Sequence, residues 1–385
     1  MIRTAAADLL PIPAALVLCA FVLASSQSLA QVGYYELRLG DESIVLDDVS
    51  GDGRVVAGTG DDFGFRWTIE DGFTPIPRRI VDGTAVRGTP RSLSSDGNAF
   101  FGNSFTVENF LEPTVWNADG TITSVYSSLR PGVEDTDSEG ISGDGSVSVG
   151  WSYAPDFGTE GFLYDDTNGL RYLADLTGDE RSTKLNAVSA DGRKAVGWII
   201  QPENPRTTEI LIYDADREAG NGIQVLGDLA GGAIRAEALS ISADGSTVVG
   251  YGLPEGNNFE AFVHTDAEGL FSIGTLGPDY DADRSKAFDV SGDGSKVVGE
   301  SSDYAFIWDR ANGMVELGLY FELMGLDLNG TTPLSASAIS DDGRTIIGYG
   351  IDSNGEFVSW VAVIPEPSTA LLLAFGLLGL SLSRP

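Results

Sequence analysis

Between residues 34 and 363 the chain alternates short apolar runs with breaks centred on Gly and Asp, and it nowhere sustains an apolar period of 3.6 residues. The pattern predicts strands throughout, with helix nearly absent. One unit recurs: an aliphatic residue, Ser, any residue, Asp-Gly, four residues, then Gly. It runs from Val49 to Gly58, Leu93 to Gly102, Ile141 to Gly150, Val188 to Gly197, Ile241 to Gly250, Val290 to Gly299 and Ile339 to Gly348. Its serines stand at 50, 94, 142, 189, 242, 291 and 340. A period in this range marks a repeat architecture.

Each unit divides into four strand-like pieces. The first alternates and ends at the Ser, as in Ala287-Phe288-Asp289-Val290-Ser291. Asp-Gly then makes a tight turn, because Gly tolerates positive φ and Asp caps its own backbone. A β-branched run follows, such as Ser295-Lys296-Val297-Val298-Gly299, and then an aromatic piece, such as Phe65-Arg66-Trp67 or Phe306-Ile307-Trp308. A further Gly turn leads to the fourth, as in Gly313-Met314-Val315-Glu316-Leu317.

Four antiparallel strands repeated seven times predict an all-β, seven-bladed β-propeller. The rival is a β-solenoid, and the chain ends decide between them. The seventh unit stops after its third strand at Trp360, while Tyr34 to Gly40 looks like a fourth strand placed before the first unit. A ring closed by pairing that N-terminal strand into the last blade explains both facts, and an open solenoid explains neither.

The 385 residues carry 57 acidic and 23 basic side chains, a formal net charge of −34. Such a surface repels nucleic acid, which is bound by clustered Lys and Arg. One His and one Cys exclude most zinc sites and the triads built on those residues.

The two ends read as addresses. Arg3, an apolar run over 14–24 and Ser28-Leu29-Ala30 form a secretory signal peptide (1–30), with signal peptidase cleaving between Ala30 and Gln31. At the other end, Pro365-Glu366-Pro367-Ser368 precedes an apolar run over 369–382 and Arg384. This tail (364–385) resembles the PEP-CTERM sorting signal, a Pro-Glu-Pro motif followed by a hydrophobic transmembrane helix and a basic end. The resemblance implies a Gram-negative bacterium, transient inner-membrane anchoring by the tail, and an exosortase that cuts near the motif to release the protein or re-anchor it at the surface. The domain between, 31–363, resembles the HAF-type extracellular repeat family over most of residues 34–363. The carriers are Ala261-Phe262 and Ala305-Phe306, with Leu226-Gly227, Leu276-Gly277 and Leu317-Gly318. That family is tied to no single activity.

The repeated aspartates (Asp52, Asp96, Asp144, Asp191, Asp244, Asp293 and Asp342) read first as turn formers, since one carboxylate per hairpin supplies too few oxygens for calcium. His264 stands where other blades carry Trp67, Tyr213 or Trp308, so it reads as a packing residue. Two acidic loops break the rhythm, 214–218 and 279–283, and 135–140 begins like an EF-hand loop but has Ser146 where Glu is required. Asp214, Asp216 and Glu218 are weak calcium candidates. No catalytic constellation stands out among the acids, and no other cofactor is indicated.

The expectation is a monomeric, secreted or cell-surface propeller, a non-catalytic binding or structural component of an extracellular polysaccharide matrix. Its partners would be exopolysaccharide or another surface protein, and it would meet the membrane only through its tail. The alternative is a carbohydrate-active hydrolase or lyase on the same scaffold. If the acidic loops hold calcium, the melting temperature rises in millimolar calcium; an unchanged melt removes that candidate.

Overall fold

The computed structural model describes residues 31–365 apart from 41, 106–110, 126–132, 134, 155–157, 179–180, 202–203, 218–221, 232–233, 256–257 and 281. Seven four-stranded antiparallel sheets form the blades. Six follow chain order, over 45–75, 88–124, 135–172, 183–227, 237–274 and 285–316. The seventh combines Thr332–Ile339, Thr345–Ile351 and Phe357–Val363 with the strand Gly33–Leu37.

That N-terminal strand closes the ring as the sequence predicts. It pairs antiparallel from Gly33 opposite Val363 to Leu37 opposite Ser359. Tyr34 stacks on Trp360 with ring centroids 5.9 Å apart, and Phe321 stands edge-on to the same indole at 5.7 Å. Trp360 is fully buried. Burying such aromatics stabilises the junction through apolar area and ring geometry together.

The repeat motif acts the same way in every blade. Each Ser hydroxyl donates to the Asp two residues on, at 2.6–2.9 Å. The same oxygen accepts the backbone N–H five residues on, as Val55 donates to Ser50 and Lys296 to Ser291. The Asp also accepts the N–H two residues beyond itself, as from Arg54 and Ser295. The Gly between sits at φ +67° to +74°, a left-handed conformation that costs a side chain energy. The aspartates are thus engaged within their own turns.

The glycine ending each motif has a different cause. Every first strand carries a β-bulge three residues before its Ser, and the bulge brings a first-strand carbonyl onto the second-strand glycine. A Cβ on Gly299 would stand 2.0 Å from the Lys286 carbonyl and 2.9 Å from the Phe306 ring, and one on Gly58 would stand 2.5 Å from the Val45 carbonyl and 2.4 Å from the Phe65 ring. In most blades a third-strand aromatic lies opposite this glycine in register: Phe65, Phe162, Phe262, Phe306 and Trp360, all fully buried.

Helix is confined to α1 (Leu173–Thr177), α2 (Leu317–Leu323) and one turn of 3-10 helix among the described residues. The expected strand through Leu317 stops at Glu316, because the Glu316 carboxylate accepts the Gly318 and Leu319 N–H groups and so caps a helix.

Two outcomes test this architecture. Removing residues 31–40 strips the closing strand and exposes Trp360, so the melting temperature should fall by more than about 10 °C; an unchanged melt would contradict closure. Gly299→Ala forces a methyl group onto a carbonyl and should cost about 3 kcal/mol in denaturant unfolding.

Candidate ligand-binding funnel

The first strand of every blade is innermost, and together these strands surround a central channel. The bulges decide what faces it. The extra residues are Asp47, Arg91, Glu139, Asn186, Leu239, Phe288 and Ser337, one per blade, and all seven line the channel. A bulge re-aims a side chain that the pleat would otherwise pair. The same seven line a wider mouth of about 470 Å3, above an inner cavity of about 210 Å3.

A second ring stands on the neighbouring strands, and two of its members, Glu300 and Tyr349, line the mouth. The residue after each motif's final glycine is Thr59, Asn103, Trp151, Trp198, Tyr251, Glu300 or Tyr349, on the second strand of successive blades. Each lies opposite a first-strand residue five before the Ser, such as Lys184 opposite Trp198 and Ser335 opposite Tyr349. Four of the seven are aromatic. Three are half-buried, and Tyr349 is exposed.

Polar partners hold this rim in place. Glu139 accepts from Lys184 at 2.8 Å and from the Trp151 indole N–H at 3.0 Å. Glu237 accepts from the Tyr251 hydroxyl at 2.6 Å and from Asn186 Nδ2 at 2.9 Å. The Lys286 ammonium lies 4.7 Å from the centre of the Tyr251 ring. Burial raises the Glu139 and Glu300 carboxyls above the usual range, and Lys184 and Lys286 respectively oppose that shift.

Deeper in, two aspartates tie blades together. Asp48 accepts from the Ser92 hydroxyl at 3.0 Å and the Leu93 N–H at 2.7 Å, both in the next blade. Asp289 reaches both neighbours, accepting from Ser240 at 2.6 Å and from the Ile339 N–H at 2.8 Å.

The far end narrows to a neck at the residue after each Ser: Gly51, Ser95, Gly143, Ala190, Ala243, Gly292 and Asp341. Backbone hydrogen bonds link neighbouring blades here, from Gly51 N to the Ser95 carbonyl, Ser95 N to Gly143, Ala190 N to Ala243 and Gly292 N to Asp341. The Ser95 hydroxyl donates to Asp341 at 2.9 Å, across Gly51, whose Cβ would stand 2.2 Å from that carboxylate. Small residues at the neck and large ones at the mouth make the channel a funnel.

The candidates read from the sequence lie elsewhere. Asp214 accepts the Asp216 N–H and lies 3.6 Å from Arg217, and Asp216 pairs with Arg193 at 2.9 Å. Glu218 lies outside the described residues, and among those described no three His, Cys, Asp or Glu side chains gather to hold a metal. In the loop resembling an EF-hand, Asp137 accepts from Asn103 and Glu139 is held by Lys184. His264 is buried in the third strand of its blade, and burial holds its imidazole below the usual range. Gln31 and Pro365 lie at the ends of the described segment, and Ala30, Glu366 and Pro367 fall outside it. The hydrophobic tail does too. Among the described residues no helix is long and apolar enough to cross a membrane.

Residues 363–384 match the family model of the PEP-CTERM protein-sorting motif. The tail is a PEP-CTERM sorting motif. It implies an exosortase-sorted extracellular protein, exported to the cell envelope or surface. No curated protein matches the chain. Among solved structures, a prolyl endopeptidase shares 12% identity at a TM-score of 0.52, over 84% of this chain and 50% of its own; the chain thus spans half that enzyme's length. The β-propeller domain of Cps50 (Swd1) from Myceliophteria thermophila shares 14% at 0.49, over 86% of this chain and 100% of its own. A putative TolB from Agrobacterium tumefaciens shares 15% at 0.43, over 60% of this chain and 81% of its own. At such identities the likeness concerns the fold alone.

The funnel carboxyls give the protein a distinctive pH response. Burial pushes Asp47 and Asp48 up to about 7 and Asp289 up to about 6. A raised carboxyl binds its proton more tightly in the folded chain, so its contribution is complete below the unfolded value and lost as pH rises through the folded one. The turn aspartates Asp96 and Asp191, held low by Ser94 and Ser189, act oppositely and lose their contribution in acid. Stability should therefore decline between about pH 4 and about pH 7, and Asp48→Asn should make that slope shallower in thermal melts. An unaltered slope would show that Asp48 does not carry it.

Proposed function

We propose that this protein is a non-catalytic binding component of an extracellular polysaccharide matrix, holding polysaccharide at the funnel mouth. The carrying observation is a cavity of about 470 Å3 lined by Tyr349 and by hydrogen-bonding groups, with Trp151 and Tyr251 hydrogen-bonded to Glu139 and Glu237 of its lining. Sugar rings present flat C–H faces that stack on aromatics, while their hydroxyls pair with carboxylates and amides. The sorting motif supports an extracellular setting, and the resemblance to HAF-type repeats supports an exported repeat protein. On this reading signal peptidase cleaves between Ala30 and Gln31. The tail anchors the chain transiently in the inner membrane of a Gram-negative cell until exosortase acts, and the released protein works as a monomer.

One observation favours the enzyme reading. The Asp47 carboxyl faces the mouth and is pushed up to about 7, a value suited to a general acid near neutral pH.

Purified protein titrated with its own producer's exopolysaccharide, in calcium and in chelator, separates the two. Binding without turnover, weakened about tenfold by Trp151→Ala or Tyr251→Ala, supports the binding role. Depolymerisation of the polysaccharide that Asp47→Asn abolishes would establish the enzyme instead.

A further inference from the structure

The mouth is not closed off from the outer surface. At the seam between the seventh and first blades, a groove of about 670 Å3 continues outward from it, and the two cavities share Ser337 and Tyr349. Moving outward across the seventh blade, the groove passes Ser337 on the first strand, Tyr349 on the second and Phe357 on the third. It ends at Leu37 on the closing strand and Arg38 just beyond it. Three strand spacings make this a track of roughly 14 Å.

Exposed apolar surface is concentrated here. Among the described residues nine large apolar side chains are exposed, and three of them line this groove: Val45 at 60%, Tyr349 at 43% and Phe357 at 74%. The Tyr349 and Phe357 rings pack side by side, with centroids 6.4 Å apart, and form one shelf. Exposed aromatics joined to a polar cavity mark a ligand-binding surface better than scattered apolar residues do.

Charge narrows the ligand. Each cation along this path already faces carboxylates of the same chain. Arg38 lies 2.5 Å from Asp352, 3.6 Å from Glu36 and 3.9 Å from Glu356. Arg91 lies 3.7 Å from Asp137, and Lys184 lies 2.8 Å from Glu139. A uronate or sulfate on a polysaccharide would have to displace these partners on a chain of net charge −34. An uncharged sugar pays no such penalty.

We propose that the Tyr349–Phe357 shelf extends the funnel mouth into a track that binds a neutral polysaccharide chain lengthwise, several sugar units at a time. The inference rests on the polysaccharide-binding reading above. The test measures affinity of the purified protein for dextran, xylan and cello-oligosaccharides of increasing length, with alginate as the anionic arm. Expected are binding of a neutral glycan, tightening with length, and a loss of roughly tenfold or more in both Tyr349→Ala and Phe357→Ala. Phe357 is exposed, so its variant should melt like the parent and report on binding alone.

Preference for alginate overturns the proposal. Neutral-glycan binding unaffected by Phe357→Ala, yet lost in Trp151→Ala, overturns the track while leaving the mouth as a binding site. If no glycan binds in any arm, both readings fail. A protein that sediments as a dimer, and that Phe357→Ala turns into a monomer, makes the shelf a contact between copies and overturns the proposal as well.

Discussion

A first-strand carbonyl pressed against a second-strand glycine sets the geometry of every blade. The contact is too close for a Cβ, at 1.9 Å for Gly197 against the Lys184 carbonyl and 2.0 Å for Gly250 against that of Glu237. It exists because the innermost strand bulges at that level. The bulge turns one side chain per blade into the channel, and in five of the seven blades the glycine's missing side chain leaves room for the third-strand aromatic opposite it. Core packing and channel lining thus follow from one local constraint repeated around the ring.

That constraint separates what is regular from what is free to vary. The Ser, Asp and Gly positions of the motif are engaged in turns, and the neighbouring apolar positions fill the space between blades. The bulge residue and the residue after the final glycine are bound by neither duty. They differ from blade to blade: Asp, Arg, Glu, Asn, Leu, Phe and Ser in one ring, and Thr, Asn, Trp, Trp, Tyr, Glu and Tyr in the other. A seven-fold scaffold thereby presents an asymmetric chemical surface at its mouth, while the far end is held narrow by backbone hydrogen bonds between small residues.

Electrostatics reinforce the division. The turn aspartates Asp96 and Asp191 lie near the surface, where hydroxyl and N–H donors favour their charge. Asp47, Asp48 and Asp289 lie along the channel, where burial opposes it. Asp48 and Asp289 nevertheless accept donors from adjacent blades, so charge in the funnel is tied to how the blades meet.

The strand count, the seven-fold period, the tight turns and the ring closure were legible in the amino-acid order. They rest on local rules, namely alternation, the Asp-Gly turn and a missing fourth strand recovered at the other end of the chain. The sorting tail was legible for the same reason, being a short contiguous motif. The funnel was not. Its residues are 44 to 53 positions apart and belong to no motif, and alternation alone would not turn Phe288 or Arg91 toward the axis. One signal was present: the column three before each Ser and the column after each final Gly vary while the motif around them does not. Reading those columns as a site required knowing that the first strand is innermost and bulged. Likewise, the pairing of Asp216 with Arg193, 23 residues away, could not be read from the acidic loop alone. Local sequence determines a repeat's turns and strands, because their energies depend on near neighbours. Which side chains converge is decided only when seven distant strands share one axis.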